Sequence, residues 1–158
     1  MRVLVALGEG GHTKEILTLV DMLGDDLQFG YLIVKDDEVS EQIIRSPGPV
    51  YYVLRPRDKQ HRLLHDITKT LHSAMDSWRA IRRFKPHAVI SSGPSVAVPV
   101  CVLARLSGRK VIFVETGSRI TALSLTGRIM YRVAHLFFVQ WPELQQRYPR
   151  AIYAGRLF

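Results

Sequence analysis

The feature that most constrains the fold of this chain is a regular alternation of short apolar runs with longer amphipathic segments. Several of these runs are apolar at every position, which is typical of strands buried on both faces of a parallel sheet. The predicted strands are 3–7, 29–34, 50–54, 87–91, 110–114, 136–139 and 151–153, and the predicted helices are 13–23, 37–45, 62–84, 96–106 and 124–134. This order predicts an α/β fold, a Rossmann-like doubly wound parallel sheet.

Length and composition favour one globular domain spanning residues 1–158. Of the 158 residues, 47% are hydrophobic, which is enough to bury a substantial core. Because Cys101 is the only cysteine, the chain forms no internal disulfide, and this cysteine usage indicates a reducing compartment. No apolar run reaches the ~18 residues that a membrane-spanning helix needs, since Pro99 interrupts the longest run.

The charge of the chain is basic and unevenly distributed. The formal net charge is +8, with four Lys/Arg and nine Asp/Glu in residues 1–54 but eighteen and five in residues 55–158. Such a chain attracts nucleic acid, anionic lipid headgroups or phosphorylated substrates. A nucleic-acid-binding domain is disfavoured, because the sequence has no basic stripe with interleaved aromatic residues and no recognised nucleic-acid-binding motif.

A glycine-rich loop, GEGGHT, follows the first predicted strand. Gly8, Gly10 and Gly11 allow a sharp turn and a close backbone approach, and the helix that follows offers free N–H groups to a diphosphate. His12 stands at the start of that helix, where its imidazole can enter the same space. Thr13 breaks both the dinucleotide fingerprint and the P-loop pattern, which disfavours a nicotinamide enzyme and an ordinary NTPase. The alternative is a tight strand-to-helix turn that binds nothing.

Two further loops with unusual chemistry follow the fourth and fifth predicted strands. In SSGPS, Gly93 permits another close backbone approach and Ser95 is placed to cap a helix; the alternative is a turn and a cap alone. In ETGSR, Glu115 ends an apolar strand and is either exposed at a cleft or buried and paired. It either pairs with His12 across a cleft, acts as a general base, or caps a helix or pairs with Arg119 structurally.

A basic amphipathic segment covers residues 61–85. Its apolar residues follow helical spacing, and residues 55–85 contain nine basic residues and three acidic ones. One interpretation is a crossover helix packed on the sheet, and the other adds contact with a membrane surface. The predicted membrane-surface residues are Leu64, Leu71, Trp78, Arg79, Arg82 and Arg83. The histidines at 61, 65 and 72 complete no recognisable ligand set, so neither a metal nor another cofactor is predicted.

Taken together, the loops resemble a known family. The matching stretches are GEGGHTKE, ISSGPSVAVPVCVLARLSGRKVIFVETGSRITALSLTGRIMYRVAHLFFVQWPEL and YAGRLF, which cover essentially the whole chain. They are similar to the acceptor-side subunits of split GT-B glycosyltransferases. That family includes the fourteenth asparagine-linked-glycosylation (ALG) proteins of eukaryotes and the PssD- and EpsE-type bacterial proteins, and it is distantly similar to the N-terminal half of MurG.

The resemblance implies one half of a GT-B enzyme. This half handles a polyprenyl-diphosphate-linked sugar acceptor, and a separate donor-binding subunit, similar to the thirteenth ALG protein or PssE, binds the UDP-sugar. N-acetylglucosamine is the expected sugar, with glucuronic acid the competitor from the PssD side. The eukaryotic members begin with a transmembrane helix and this chain begins with its first strand. Peripheral attachment to the cytoplasmic face of the membrane is therefore expected to depend on the basic segment or on a partner.

The resemblance also implies site roles. His12 and Glu115 correspond to the family's loop histidine and acid, so one is expected to be the base of an inverting transfer and the other to support it. The residues predicted to bind the acceptor and its diphosphate are Gly8, Gly10, Gly11, Thr13, Gly93, Pro94, Ser95, Gly117, Ser118 and Arg119. The main alternative is a non-catalytic membrane scaffold that recruits the donor-binding subunit.

Overall fold

A computed structural model describes residues 1–8, 10–24, 26–55 and 63–157, except the side chains of Glu38 and of residues 63–67. The strands are β1 (Arg2–Ala6), β2 (Gln28–Val34), β3 (Val50–Val53), β4 (Ala88–Ser92), β5 (Lys110–Val114), β6 (Leu136–Val139) and β7 (Ile152–Tyr153). The helices are α1 (Gly11–Leu23), α2 (Glu38–Gln42), α3 (Leu63–Phe84), α4 (Ala97–Leu106), α5 (Leu125–Val133) and α6 (Pro142–Arg147). Strands and helices alternate, as the hydrophobic pattern predicts.

The strands form one parallel sheet in the order β3-β2-β1-β4-β5-β6-β7. The chain runs outward from β1 to β3, crosses the sheet through α3, and then runs outward again from β4 to β7. The direction of winding therefore reverses between β1 and β4, and ligands of doubly wound folds bind at the carboxyl ends of the strands at such a point. The predicted Rossmann-like fold is confirmed.

Each face of the sheet carries its own hydrophobic core because successive side chains of a strand point to opposite faces. On β1, Val3 and Val5 pack into the core under α1, whereas Leu4 and Ala6 pack into the core under α3, α4 and α5. Burial on both faces explains why β1 is apolar from Val3 to Ala6 and does not alternate.

The predicted boundaries of the strands agree with the structure to within two residues. Predicted helix 37–45 is shorter, Glu38–Gln42, with Asp37 accepting the Ser40 N–H at its start. The start of the predicted helix 62–84 lies outside the described residues, and from Leu63 the helix is continuous. Helix α6 was not predicted, since its six residues are too few to show a helical period.

Candidate functional site

The three loops meet at the carboxyl edge of the sheet, around the winding reversal between β1 and β4. Gly10, with a φ of +67°, leads into α1, and His12 follows in the first turn of that helix. The imidazole lies directly on Gly93, where a Cβ atom would stand 2.4 Å from both Nδ1 and Cε1 of His12. A Cβ on Gly8 would likewise stand 2.3 Å from Pro94 Cβ. The glycines thus let the first two loops touch.

His12 separates two cavities. The larger, about 580 Å³, lies between α1 and the loop after β5; the smaller, about 250 Å³, lies beside the loop after β4. The larger is lined by Gly11, His12, Lys14, Glu15, Thr18, Thr116, Gly117 and Ser118, and the smaller by Gly8, His12, Val34, Arg55, Pro94, Ser95 and Val96. The imidazole therefore contributes to the walls of both spaces.

The surroundings of the His12 imidazole favour its neutral form. Its Nδ1 atom is buried and has no hydrogen-bond partner among the described residues. Burial lowers the pKa of His12, the Glu15 carboxylate opposes that shift, and the charge of Arg119 adds to it. A lowered pKa favours folding above the ordinary histidine range, and that stabilisation is lost as the pH falls. A neutral imidazole can accept a proton.

Both hydrogen-bond donors of Thr13 bind to carbonyl groups of the first loop. Its hydroxyl donates to the carbonyl of Gly8, and the Ser40 hydroxyl donates to the same carbonyl at 3.1 Å. Its backbone N–H donates to the Gly10 carbonyl at 3.2 Å. The predicted contact of Thr13 with a diphosphate does not fit this geometry, because both of its donors are used inside the loop.

Glu115 is fully buried at the end of β5. Its carboxylate accepts the Thr116 N–H and both the N–H and the hydroxyl of Ser124, each at 3.2 Å. Ser124 caps α5 by accepting the Gly127 N–H at 2.9 Å, and a Cβ on Gly127 would stand 1.7 Å from Glu115 Oε2. The carboxylate therefore supports the start of α5.

The hydrogen bonds of the Glu115 carboxylate fit the interpretation that this residue supports the start of a helix. Among the described residues, the hydrogen-bond partners of its carboxylate are Thr116 and Ser124, so a hydrogen bond between Glu115 and His12 is not observed. Burial raises the pKa of Glu115, and the hydrogen bonds from Ser124 and Thr116 and the charge of Arg119 oppose the shift. A raised carboxyl pKa favours folding below the ordinary glutamate range, and that contribution is lost as the pH rises.

Glu15 belongs to the site and was missed from the sequence. It lies one helical turn after His12, lines the larger cavity and is 4% exposed. Its Oε2 accepts the Ser92 hydroxyl at 3.0 Å, and its Oε1 accepts the Thr116 hydroxyl and the Gly117 N–H, each at 3.0 Å. One sequence feature could have pointed to Glu15. It is an acidic residue next to the apolar pair Ile16 and Leu17, which are buried, on the helix that carries the loop histidine.

The loop after β5 is held from two sides. Trp141 Nε1 donates to the Gly117 carbonyl at 2.7 Å, opposite the bond from Gly117 to Glu15. Ser118 and Arg119 are exposed at the rim, and the charge of Arg119 reaches both His12 and Glu115. A guanidinium in this position suits a diphosphate.

Comparison with known proteins identifies the family. A family model described as "Oligosaccharide biosynthesis protein Alg14 like" matches residues 3–157. The chain belongs to this Alg14-like family. It is 35% identical to the human UDP-N-acetylglucosamine transferase subunit ALG14, covering 99% of this chain and 83% of that protein, and 30% identical to the Saccharomyces cerevisiae subunit, covering 99% and 77%. The predicted family resemblance is confirmed.

Solved structures share the fold of this Alg14-like chain. Acinetobacter baumannii MurG superposes with a TM-score of 0.73 at 23% identity, over 89% of this chain and 41% of MurG. A UDP-GlcNAc 2-epimerase from Methanocaldococcus jannaschii, crystallised with UDP-GlcNAc and UDP, superposes with a TM-score of 0.74 at 12% identity, over 99% and 47%. The chain thus spans less than half the length of these structural neighbours.

A second surface of this Alg14-like chain is apolar and exposed. Leu71 and Trp78 of α3 are 60% and 40% exposed, and Leu106 of α4 is 79% exposed. A groove of about 590 Å³ between the two helices is lined by Leu71, Ala74, Met75, Trp78, Leu103, Leu106 and Ser107. The three predicted basic residues, Arg79, Arg82 and Arg83, are exposed on the same helix, whereas the side chain of Leu64 lies outside the described residues.

Proposed function

We propose that this chain is the acceptor-side subunit of an inverting UDP-N-acetylglucosamine transferase. It binds a polyprenyl-diphosphate-linked sugar and acts with a donor-binding GT-B subunit in glycan biosynthesis. The observation that carries this proposal is the position of His12, whose imidazole lines both cavities at the winding reversal. The relatives are named UDP-N-acetylglucosamine transferase subunits, which supports the sugar and the need for a partner.

In the proposed mechanism His12 is the general base. The acceptor hydroxyl attacks the anomeric carbon of the donor sugar, its proton passes to His12, and the bond between that carbon and the UDP oxygen breaks. The lowered pKa of His12 supports this role because it keeps the imidazole unprotonated and able to accept the proton. Glu115, buried under α5, supports the loop after β5.

Backbone donors and one cation are proposed to hold diphosphate charge. The N–H groups at Gly10 and Gly11 lie at the positive end of α1. Gly8, Pro94 and Ser95 line the smaller cavity, and Gly93 lies against the His12 imidazole. Arg119 stands at the rim. Fixed dipoles of this kind stabilise charge that develops as UDP leaves.

The experiment that tests the function is a transfer assay with the pair of subunits. A donor-binding GT-B partner is co-expressed with this chain, and the complex is given UDP-N-acetylglucosamine and a short polyprenyl-diphosphate-linked sugar. We expect a product one N-acetylglucosamine heavier by mass spectrometry, and none with either subunit alone. Transfer from UDP-glucuronic acid only would overturn the proposed sugar.

The same assay distinguishes the enzymatic role from the alternative, a non-catalytic scaffold. A scaffold would still bind the partner but would tolerate joint replacement of His12 and Glu115. Full transfer by that double variant would favour the scaffold and contradict the enzymatic role.

We further propose that the groove between α3 and α4 contacts the cytoplasmic surface of a membrane. None of the helices in the described part of the chain is long and apolar enough to cross a bilayer. Exposed apolar side chains next to arginines are typical of interfacial attachment, where the rings enter the headgroup region and the cations bind anionic lipid.

Replacing Leu71 and Trp78 by serine should weaken binding of the chain to vesicles containing anionic lipid by at least about tenfold. The reason is that two large apolar side chains are no longer transferred from water into the lipid. Sedimentation with vesicles measures the binding. Val39→Ser, which removes an apolar side chain 67% exposed on α2, is the control and should bind like wild type. Equal binding by the double variant and the control would exclude the groove as the contact.

A further inference from the structure

We infer that Glu15 is the positioning residue of this site: it fixes the Thr116–Ser118 loop against α1 and places a carboxylate beside His12. The inference rests on the proposed function, since the reaction it serves is the transfer described above. It adds a role for Glu15 that neither the loop motifs nor the names of the relatives assign.

The hydrogen bonds of Glu15 join three separate segments of the chain. The carboxylate, on α1, accepts from Ser92 at the end of β4 and from Thr116 and Gly117 after β5, all at 3.0 Å. A buried carboxylate is costly unless its oxygens are hydrogen-bonded, and both oxygens of Glu15 are. Segments about 77 and 102 residues from Glu15 in sequence are thereby tied to the helix that carries the histidine.

These bonds shape the larger cavity. Thr116 and Gly117 form its wall opposite α1, and both reach Glu15 through the same oxygen, Oε1. On the far side the Gly117 carbonyl accepts from Trp141. With Glu15 removed, the loop would keep its outer anchor and lose its inner one, so the cavity wall would no longer have a defined position.

Glu15 also influences the electrostatic environment of His12. The two residues are three positions apart on α1, hence on neighbouring parts of one helix face, and both line the larger cavity. Among the described residues, the other charged groups that act on His12 or line the two cavities are cationic: Arg119 from the loop after β5, Lys14 on the wall of the larger cavity, and Arg55 on that of the smaller one. Glu15 raises the pKa of His12 against the effects of burial and of Arg119.

Two substitutions separate these contributions. In Glu15→Gln the amide oxygen can still accept from Thr116 and Gly117, but the charge is gone. We expect kcat/KM at high pH to stay within about threefold of wild type, while the acid limb of its pH profile moves to lower pH because His12 holds its proton less tightly. In Glu15→Ala the anchor is lost as well, and kcat/KM should fall roughly 100-fold at every pH.

The control is Glu143→Gln, an exposed acid of α6, which should leave the profile unchanged. A second readout does not depend on transfer: an NMR titration of the His12 Cε1–H signal in the full chain, where Glu15→Gln should titrate at lower pH than wild type. An unshifted titration, or equal loss at every pH in both Glu15 variants, would reduce Glu15 to a folding role. An inactive wild-type complex with a shifted titration would overturn the proposed function and would support only the placement of the Glu15 carboxylate beside His12.

Discussion

Replacing His12 by asparagine is expected to lower kcat for sugar transfer by about 1,000-fold, within the range that a general base supplies. Asparagine keeps a polar side chain at the start of α1 but cannot take up the proton of the acceptor hydroxyl. The measurement is single-turnover transfer by the complex of the variant chain with its donor-binding partner, together with the thermal unfolding midpoint of the variant. We expect the midpoint to change little, because His12 Nδ1 makes no hydrogen bond with the part of the chain that the structure describes.

Glu115→Gln is the matched variant. The amide oxygen can still accept from Ser124, so α5 keeps its support and transfer should remain within about tenfold of wild type. The reverse result, a folded and inactive Glu115→Gln chain beside an active His12→Asn chain, would assign the base to Glu115.

The second large effect is expected from Gly93→Ala. The new methyl group would stand 2.4 Å from Nδ1 and Cε1 of His12, so the imidazole has to leave its position between the two cavities. We expect transfer to fall at least about 100-fold, as misplaced catalytic groups do. A φ of +70° at position 93 adds a backbone cost of about 1–2 kcal/mol to folding, to be measured by denaturant unfolding.

Gly108→Ala provides the control for strain alone. Gly108 has a φ of +76°, and a Cβ there would have no heavy atom of a described residue within 4 Å apart from its own chain neighbours. This variant should lose a similar free energy of unfolding and keep full transfer. If Gly93→Ala transferred sugar as well as Gly108→Ala, the position of the imidazole would not matter to the reaction.

The fold was predictable because local pattern and burial agree along the chain. Strands such as β1 are apolar after their first residue, the helices between them are amphipathic, and a parallel sheet is the arrangement that buries both. The prediction failed at α6 and at the ends of α2, where the elements are too short to carry a period. There the boundaries follow from packing and from the cap at Asp37.

The site was predictable in part. The glycines marked the loops, since positive φ and close approach require them. His12 and Gly93 are in contact, as expected for loops that lie at the same edge of the sheet. The roles of the carboxylates were not predictable. Glu15 and Glu115 are both buried acids near the same loop, and nothing in their local sequence indicates which one faces the cavity and which one holds a helix.

The sequence by itself determined the alternating, doubly wound fold class and the convergence of three loops, because these follow from hydrophobic period and from the geometry of parallel strands. Only the tertiary structure decided the hydrogen-bond partners of each acid. Glu15 reaches Ser92 and Gly117, whereas Glu115 turns away to Ser124. A buried carboxylate lies wherever donors from distant segments converge on it, and that convergence exists only after the sheet has formed.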